Sequence, residues 1–470
     1  MRTAVAAVLF AAMLVLAGCS APAAGPTTAE WAYPDDPPTD RLGWEAGYWY
    51  NESIAVNQSD GLDAAEREAL VARTMARVER IRGLEFRESV SVEVISRAEY
   101  RNRSVFGHER SAEYEAWHEQ VWEAPLLVGE DRAVSEEFDA LYGGAVAGYY
   151  SPSSDQIVIV SDADEPQIHR ATLAHELVHA LQDQHFGFAG SRYRDLGLAH
   201  RGLTEGDARY VEILYERRCA AGANETTEDG DPGWNCVPRP DRSGGSSGGE
   251  PVNSGLFAYI YQPYADGPAF VHNLRQRGGW EAVNAAYDHR PHSTEQTIHP
   301  DRYPDEQVAF VEVPDRTSDG WERFEVNTPT ERLGETGLFV MFWYNDYAGD
   351  GYRTSDDPFS AYNYTAAPAD GWAGDRLVPY HKGTGEDAEY GYVWAIRFDS
   401  ASEADEFARA YRTMLQLRLG ARTVDARAGI YRIPDGPFAD AFRVDRDGDR
   451  VVITNAPTVD QLTDVHAPPE

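Results

Sequence analysis

Lysine is almost missing from this sequence: Lys382 is the one lysine among 42 basic residues, set against 78 Asp and Glu, and the formal net charge is −36. Such a field repels a polyphosphate backbone and argues against nucleic-acid binding. The acidic residues are spread along the chain rather than gathered in a block, which argues against a dedicated basic partner. Concentrated salt screens charges over a few ångströms and removes the self-repulsion, so the composition is the one expected of a halophilic archaeon. Cysteine is scarce too, with Cys19, Cys219 and Cys236 the complete set. The apolar run Ala4–Ala17 is shorter than the roughly 20 residues a bilayer-spanning helix needs.

That run reads instead as an address. Arg2 supplies a basic start, residues 1–18 form a signal peptide, and Leu16-Ala17-Gly18-Cys19 resembles a lipobox. In lipoproteins that motif is cut before the cysteine, so the resemblance implies a mature chain beginning at Cys19 and held to the cell membrane by lipid. Residues 19–40, rich in Ala, Pro, Thr and Asp, form a flexible tether. In an exported chain Cys219 and Cys236 are expected to pair, and closing that loop stabilises by about 3 kcal/mol in the chain-entropy model. Sequons at Asn51, Asn57, Asn102, Asn224 and Asn363 permit glycosylation.

The chemistry sits in Ala174-His175-Glu176-Leu177-Val178-His179-Ala180-Leu181. Ala174, Leu177, Val178 and Leu181 recur at helical spacing, with Pro166 where a helix could begin. On a helix, His175 and His179 lie one above the other and can reach one metal ion. Glu176 is rotated by roughly 100° from His175, beside the place a metal-bound water would occupy. A catalytic zinc takes three protein ligands and leaves one position open. His185 stands where an extended histidine pattern would put the third, but that pattern needs a helix-breaking glycine and Gln182 is there. Glu205, in Leu203-Thr204-Glu205-Gly206-Asp207-Ala208 at the start of a second helical pattern through Val211, Ile213 and Leu214, is the alternative and the favoured one. Upstream, Gly148–Pro152 leads into a strand, Gln156–Val160, of the kind whose edge can pair with a substrate backbone.

At these residues the sequence resembles the gluzincin class of zinc metallopeptidases. The run His175–Phe186 followed by Thr204–Ala208 is similar to a group of bacterial and archaeal surface proteins with minimal gluzincin domains. The resemblance covers about the middle third of the chain. It implies His175, His179 and Glu205 as zinc ligands and Glu176 as general base. Segments like Pro291–Pro300 accompany the motif in that group, and His299 and Tyr264 are candidate donors to the oxyanion formed on the scissile carbonyl.

The fold class expected is α+β: a zincin-like core over 131–315 with a disordered acidic loop at 220–255, an N-terminal α+β lobe over 41–130 and a small C-terminal α+β lobe over 316–470. In the first lobe, Ala64, Ala65, Leu70, Val71, Met75, Val78 and Ile81 make a helical stripe, Ser89–Ile95 a strand and Ala112–Val121 a helix. A helix from Tyr264 breaks at Gly278-Gly279-Trp280. In the last lobe, strands are expected at Tyr392–Phe398, Ile430–Arg432 and Arg450–Thr454, with an amphipathic helix over Glu403–Gly420 and no catalytic constellation. The functional expectation is a lipid-anchored cell-surface zinc peptidase acting on peptide or protein substrates. The alternative is a surface protein whose zinc domain is structural or binds a ligand without turnover.

Overall fold

The computed structural model describes residues 36–103, 111–161, 167–240, 252–348 and 355–468; the signal peptide, Cys19, most of the tether and Pro166 lie outside them. Among these residues the chain is a mixed α+β fold. Its first part runs β1 (Trp44–Glu45), β2 (Tyr48–Trp49), α1 (Ala64–Arg82), β3 (Ser91–Ser96), α2 (Arg97–Asn102), α3 (Ala112–Glu123), α4 (Val134–Ala145), β4 (Gly148–Ser151) and β5 (Gln156–Ser161). Four helices follow, α5 (Arg170–Phe186), α6 (Arg194–Ala221), α7 (Ser254–Asp288) and α8 (Thr294–Ile298). The remainder is β6 (Trp321–Arg323), α9 (Gly334–Tyr344), β7 (Trp372–Lys382), β8 (Glu389–Phe398), α10 (Ala401–Leu417), β9 (Arg422–Asp425), β10 (Ile430–Arg432), β11 (Ala441–Asp447), β12 (Arg450–Ala456) and α11 (Leu462–Val465). No helix among the described residues is long and apolar enough to cross a membrane.

Besides the short β1–β2 ribbon, two sheets organise the described residues. The smaller has the order β3-β5-β4, with β3 parallel and β4 antiparallel to β5. Ile157 to Val160 are buried without alternation, as a strand covered on both faces requires. The larger sheet is antiparallel throughout, in the order β6-β7-β8-β12-β11-β10-β9. Local signals explain the helices beside them. Asp63 caps α1 in a reciprocal pair with Glu66, and Gly83 ends it at φ 73°. Ser400 caps α10, whose Ala404, Phe407, Ala408, Tyr411 and Leu415 all face inward.

Residues 41–130 do not form a separate lobe. Leu70, Met75, Val78 and Ile81 of α1 share one core with α5, α6 and the second half of α7, and β3 joins the sheet of β5. Trp117, Val121 and Trp122 of α3 belong to the other core, with the start of α7, α9 and the large sheet. A parallel strand pair requires a long crossover, so the pairing of β3 with β5 leaves no local mark by which a boundary near 130 could be placed or rejected. The stretch 220–255 also differs from a plain surface loop. Cys219 is bonded to Cys236, Trp234 and Val237 are buried, and the Arg77 guanidinium lies 4.9 Å from the Trp234 ring. Average composition hides these few anchoring residues; residues 241–251 lie outside the described ones.

Both long helices begin well before their sequence signals. α6 starts at Arg194, so Glu205 is mid-helix, and α7 starts at Ser254 under an Asn253 cap and carries Pro263 and Pro268 inside it. The expected break is present: Gly278 and Gly279 leave helical geometry. The two helices cross backbone against backbone. A Cβ on Gly206 would stand 2.4 Å from the Gly267 carbonyl oxygen, and one on Gly267 would stand 2.5 Å from that of Gly202. Glycine at these positions is what lets α7 approach α6 beside Glu205.

Candidate metal centre

α5 is buried on most of its surface, and it carries His175 and His179 one turn apart toward α6. Their Nε2 atoms are 3.2 Å apart, and the Glu205 Oε2 from α6 lies 3.3 Å from the first and 3.2 Å from the second. Three atoms thus make a nearly equilateral triangle. Tetrahedral bonds of about 2.0–2.1 Å to zinc place ligand atoms roughly 3.3 Å from one another.

The hydrogen bonds around the triangle fix what its corners offer. Gln182 donates its amide to the Thr204 carbonyl at 2.9 Å, which turns its oxygen to His179 Nδ1, also at 2.9 Å. The Glu212 carboxylate lies 3.3 Å from His175 Nδ1 and is held from its other side by Arg209. Both Nδ1 atoms therefore carry hydrogen, and both Nε2 atoms present lone pairs toward the Glu205 oxygen. Three acceptors facing one point need a cation among them, either protons or a metal. With protons alone, burial pulls His175 down, yet its hydrogen bonds to Glu205 and Glu212 prevail and hold it up at about 10. Glu205 itself is kept far below the ordinary carboxyl range: burial opposes this, and the two histidines overcome it. The donor set, spacing and tautomers fit a zinc ion.

Glu176 is 6% exposed, and among the described residues no donor engages its carboxylate. Burial raises its pKa, the two imidazoles work against that, and Glu205 and Glu212 add to it. Tyr264 of α7 stacks on the His175 ring at 6.2 Å. Burial and then the Glu205 and Glu176 carboxylates keep its hydroxyl protonated.

His185 and His299 are placed elsewhere. Because α5 continues unbroken through Gln182 to Phe186, His185 turns away and meets the Glu85 carbonyl at 2.8 Å. His299, just past α8, pairs with Glu335 of α9 at 2.9 Å in a separate group with Asp370, and no contact among the described residues links it to the triangle. The expected substrate-pairing edge also moves. β5 is the middle strand, so the free edge on this side belongs to β4, which contributes Tyr150 to a cleft of about 350 Å³ beside His179 and Glu205. The hairpin return of β4 covers the edge of β5.

Two residues of the centre went unread in the sequence, Gln182 and Glu212. Helical spacing offered a signal for each: Gln182 follows His179 by three, and Glu212 follows Glu205 by seven, so each shares its partner's helix face.

Residues 322–466 match a family described as a domain of unknown function, DUF8575. That match falls on the large sheet and its helices and does not reach the triangle. No curated protein and no solved structure matches the chain.

Proposed function

We propose that this chain is a zinc metallopeptidase with a zincin-like core of gluzincin type, tethered outside the cell through lipid on Cys19. The observation that carries this reading is the triangle of His175, His179 and Glu205 with an unengaged, buried Glu176 next to it. A purely structural zinc site has no use for a free carboxylate at that position. When bound, zinc supplies a Lewis acid that makes a water nucleophilic near neutral pH and polarises the scissile carbonyl. Glu176 takes the proton of the attacking water and delivers it to the leaving amine, and its raised pKa suits a group that must both accept and return a proton. Tyr264 remains a neutral hydroxyl and is the donor at hand for the developing oxyanion. The open edge of β4 offers backbone groups to an extended peptide lying along the cleft. Gln182 and Glu212 keep both imidazoles in the ligating tautomer.

The test is a trio of variants assayed for bound zinc and for hydrolysis of a broad peptide library. Glu176→Gln should retain one zinc per chain and lose hydrolysis by about 10²–10⁴-fold, the usual contribution of a positioned general base. Glu205→Ala should lose zinc and activity together, and His185→Ala should lose neither. Full activity in Glu176→Gln would remove the catalytic reading, and zinc loss confined to His185→Ala would overturn the ligand set.

A further inference from the structure

Arginine in this molecule is a residue under demand. With acidic residues nearly twice as many as basic ones, many arginines are taken by carboxylates, the buried Arg82 by Asp207 at 3.0 Å and the half-buried Arg332 and Arg170 by Asp195 at 2.8 Å and Glu216 at 2.9 Å, whereas the buried Arg77 rests on the Tyr50 and Asn235 carbonyls. Two arginines that line the cleft beside the triangle also lack an ion pair, and these two face open space. Among the described residues neither Arg201 nor Arg290 makes an ion pair, though Arg290 lies 5.4 Å from the Tyr287 ring and feels the charge of Asp288, and the only acidic residue lining the cleft, Glu205, is turned into the triangle.

Their placement is specific. Arg201 lies one helical turn before Glu205 on α6, on the same face, and is exposed. Arg290, just past α7, donates one nitrogen to the Gly187 carbonyl at 2.8 Å, where α5 ends, while its Nη1 is shielded from solvent and has no partner. His200 also lines the cleft, with its Nδ1 likewise shielded and unpartnered. Burial first, then the positive charges of Arg290, His292 and Arg332, hold His200 down at about 4, so it is neutral while its surroundings are positive. In a chain of net charge −36, the cleft beside the triangle is thus lined by two guanidinium groups. Arg201 is hydrated, but leaving the shielded Nη1 of Arg290 without an acceptor is unfavourable unless a ligand brings one.

We propose that this cleft binds a carboxylate of the substrate peptide, held by Arg201 and Arg290, so that the enzyme selects acidic peptides; this rests on the peptidase reading above. A guanidinium fork matches a carboxylate in two parallel hydrogen bonds, and such short contacts persist in concentrated salt where longer-range steering is screened. The cleft volume of about 350 Å³ admits one side chain or a chain end. The carboxylate is therefore either an Asp or Glu side chain or the C-terminal carboxylate of the peptide.

The experiment uses the full-length, zinc-loaded Glu176→Gln protein, so that binding is read without turnover. Three peptides share one core sequence: one with an internal Glu and an amidated end, one with a free C-terminal carboxylate and no acidic side chain, and one neutral and amidated. One of the acidic peptides should bind at least about tenfold more tightly than the neutral one, the equivalent of one charge-assisted hydrogen bond. Whichever wins identifies the source of the carboxylate. Adding Arg201→Gln should bring its Kd to that of the neutral peptide, and Arg201→Lys should restore part of the difference. Because Arg201 is exposed, these variants should melt with the parent, while Arg290→Gln also loses the tie to Gly187 and serves as the second variant. Equal affinity for all three peptides, no binding by any, or a preference that survives both glutamine variants overturns the proposal. Hydrolysis by the unsubstituted enzyme separates the two readings: cleavage without acidic preference leaves the peptidase standing and removes the anion site, whereas selective acidic binding without cleavage of any peptide does the reverse.

Discussion

Asp375, a buried carboxylate of β7 in the large sheet, and Glu205, a half-buried one on α6 in the triangle, face opposite chemistry. Asp375 accepts four hydrogen bonds: from the backbone of Leu333 and Gly334 at 3.0 Å each, and from the indoles of Trp372 and Trp394 at 3.1 and 3.0 Å. Its charge is met entirely by donors, and it pins α9 to β7 and β8. Glu205 instead turns an oxygen toward two imidazole lone pairs. Two residues further along α6, Asp207 resembles Asp375 and not its neighbour, since Arg82 at 3.0 Å and the Tyr287 hydroxyl at 2.8 Å satisfy it. Burial and charge therefore do not mark a site by themselves. A carboxylate facing donors is a structural pin, and one facing acceptors calls for a cation.

The largest effect that could break this comparison is on stability. Arg82→Ala should cost about 3–5 kcal/mol by leaving Asp207 charged and buried, and Asp375→Ala about 3 kcal/mol or more by stranding four donors. Denaturant midpoints would measure both, and both variants should still bind one zinc. A loss under about 1 kcal/mol in either would show that donors around a buried carboxylate matter less than argued.

A smaller effect tests the triangle. Glu212→Gln and Gln182→Ala leave the triangle's own atoms in place and should weaken zinc affinity about 10–100-fold, as loss of an outer hydrogen-bond partner does. Competition with a chelator reads this directly. Unchanged affinity in both would mean that the imidazole tautomers are set by something other than these bonds.

The smallest effect concerns a third kind of carboxylate. Asp266 of α7 has weak partners, Gln262 at 3.2 Å and Ser360 at 3.3 Å, and burial pushes its pKa up to about 8 despite them. A carboxyl raised in the folded state contributes stability that is complete below its ordinary range near 4 and is lost as pH rises through 8. Between pH 5 and 9 the unsubstituted protein should therefore lose stability relative to Asp266→Asn. Parallel melting curves for the two proteins across that window would contradict the assignment.

Much of the site was legible because its signals are local. Two histidines four apart with apolar residues at helical spacing place both rings on one face of α5 whatever surrounds it, and an unbroken run through Gln182 turns His185 away. The glycine pair at 278–279 and the apolar face of α10 were equally open to reading, since each depends on residues within a turn or two. The start of α6 was not, because the residues before Leu203 are held in helix by packing against the second core, where Leu198 is buried. The placement of His299 with Glu335 depended on α8 meeting α9, which no spacing within either helix announces.

The sequence by itself determined the chemical types and their helical phase: which residues could ligate, that Glu176 stands beside them, and that the whole molecule is strongly acidic. Only the tertiary structure decided which strand is the edge, that Glu212 and Gln182 orient the imidazoles, and that Arg201 and Arg290 meet in one cleft although 89 residues separate them (290 − 201). The reason is physical. Periodicity records how a segment divides its faces between water and core, whereas the partner of each buried face is chosen by shape, here by glycines 206 and 267 letting two helix backbones touch, and that choice spans distances along the chain over which no local pattern reaches.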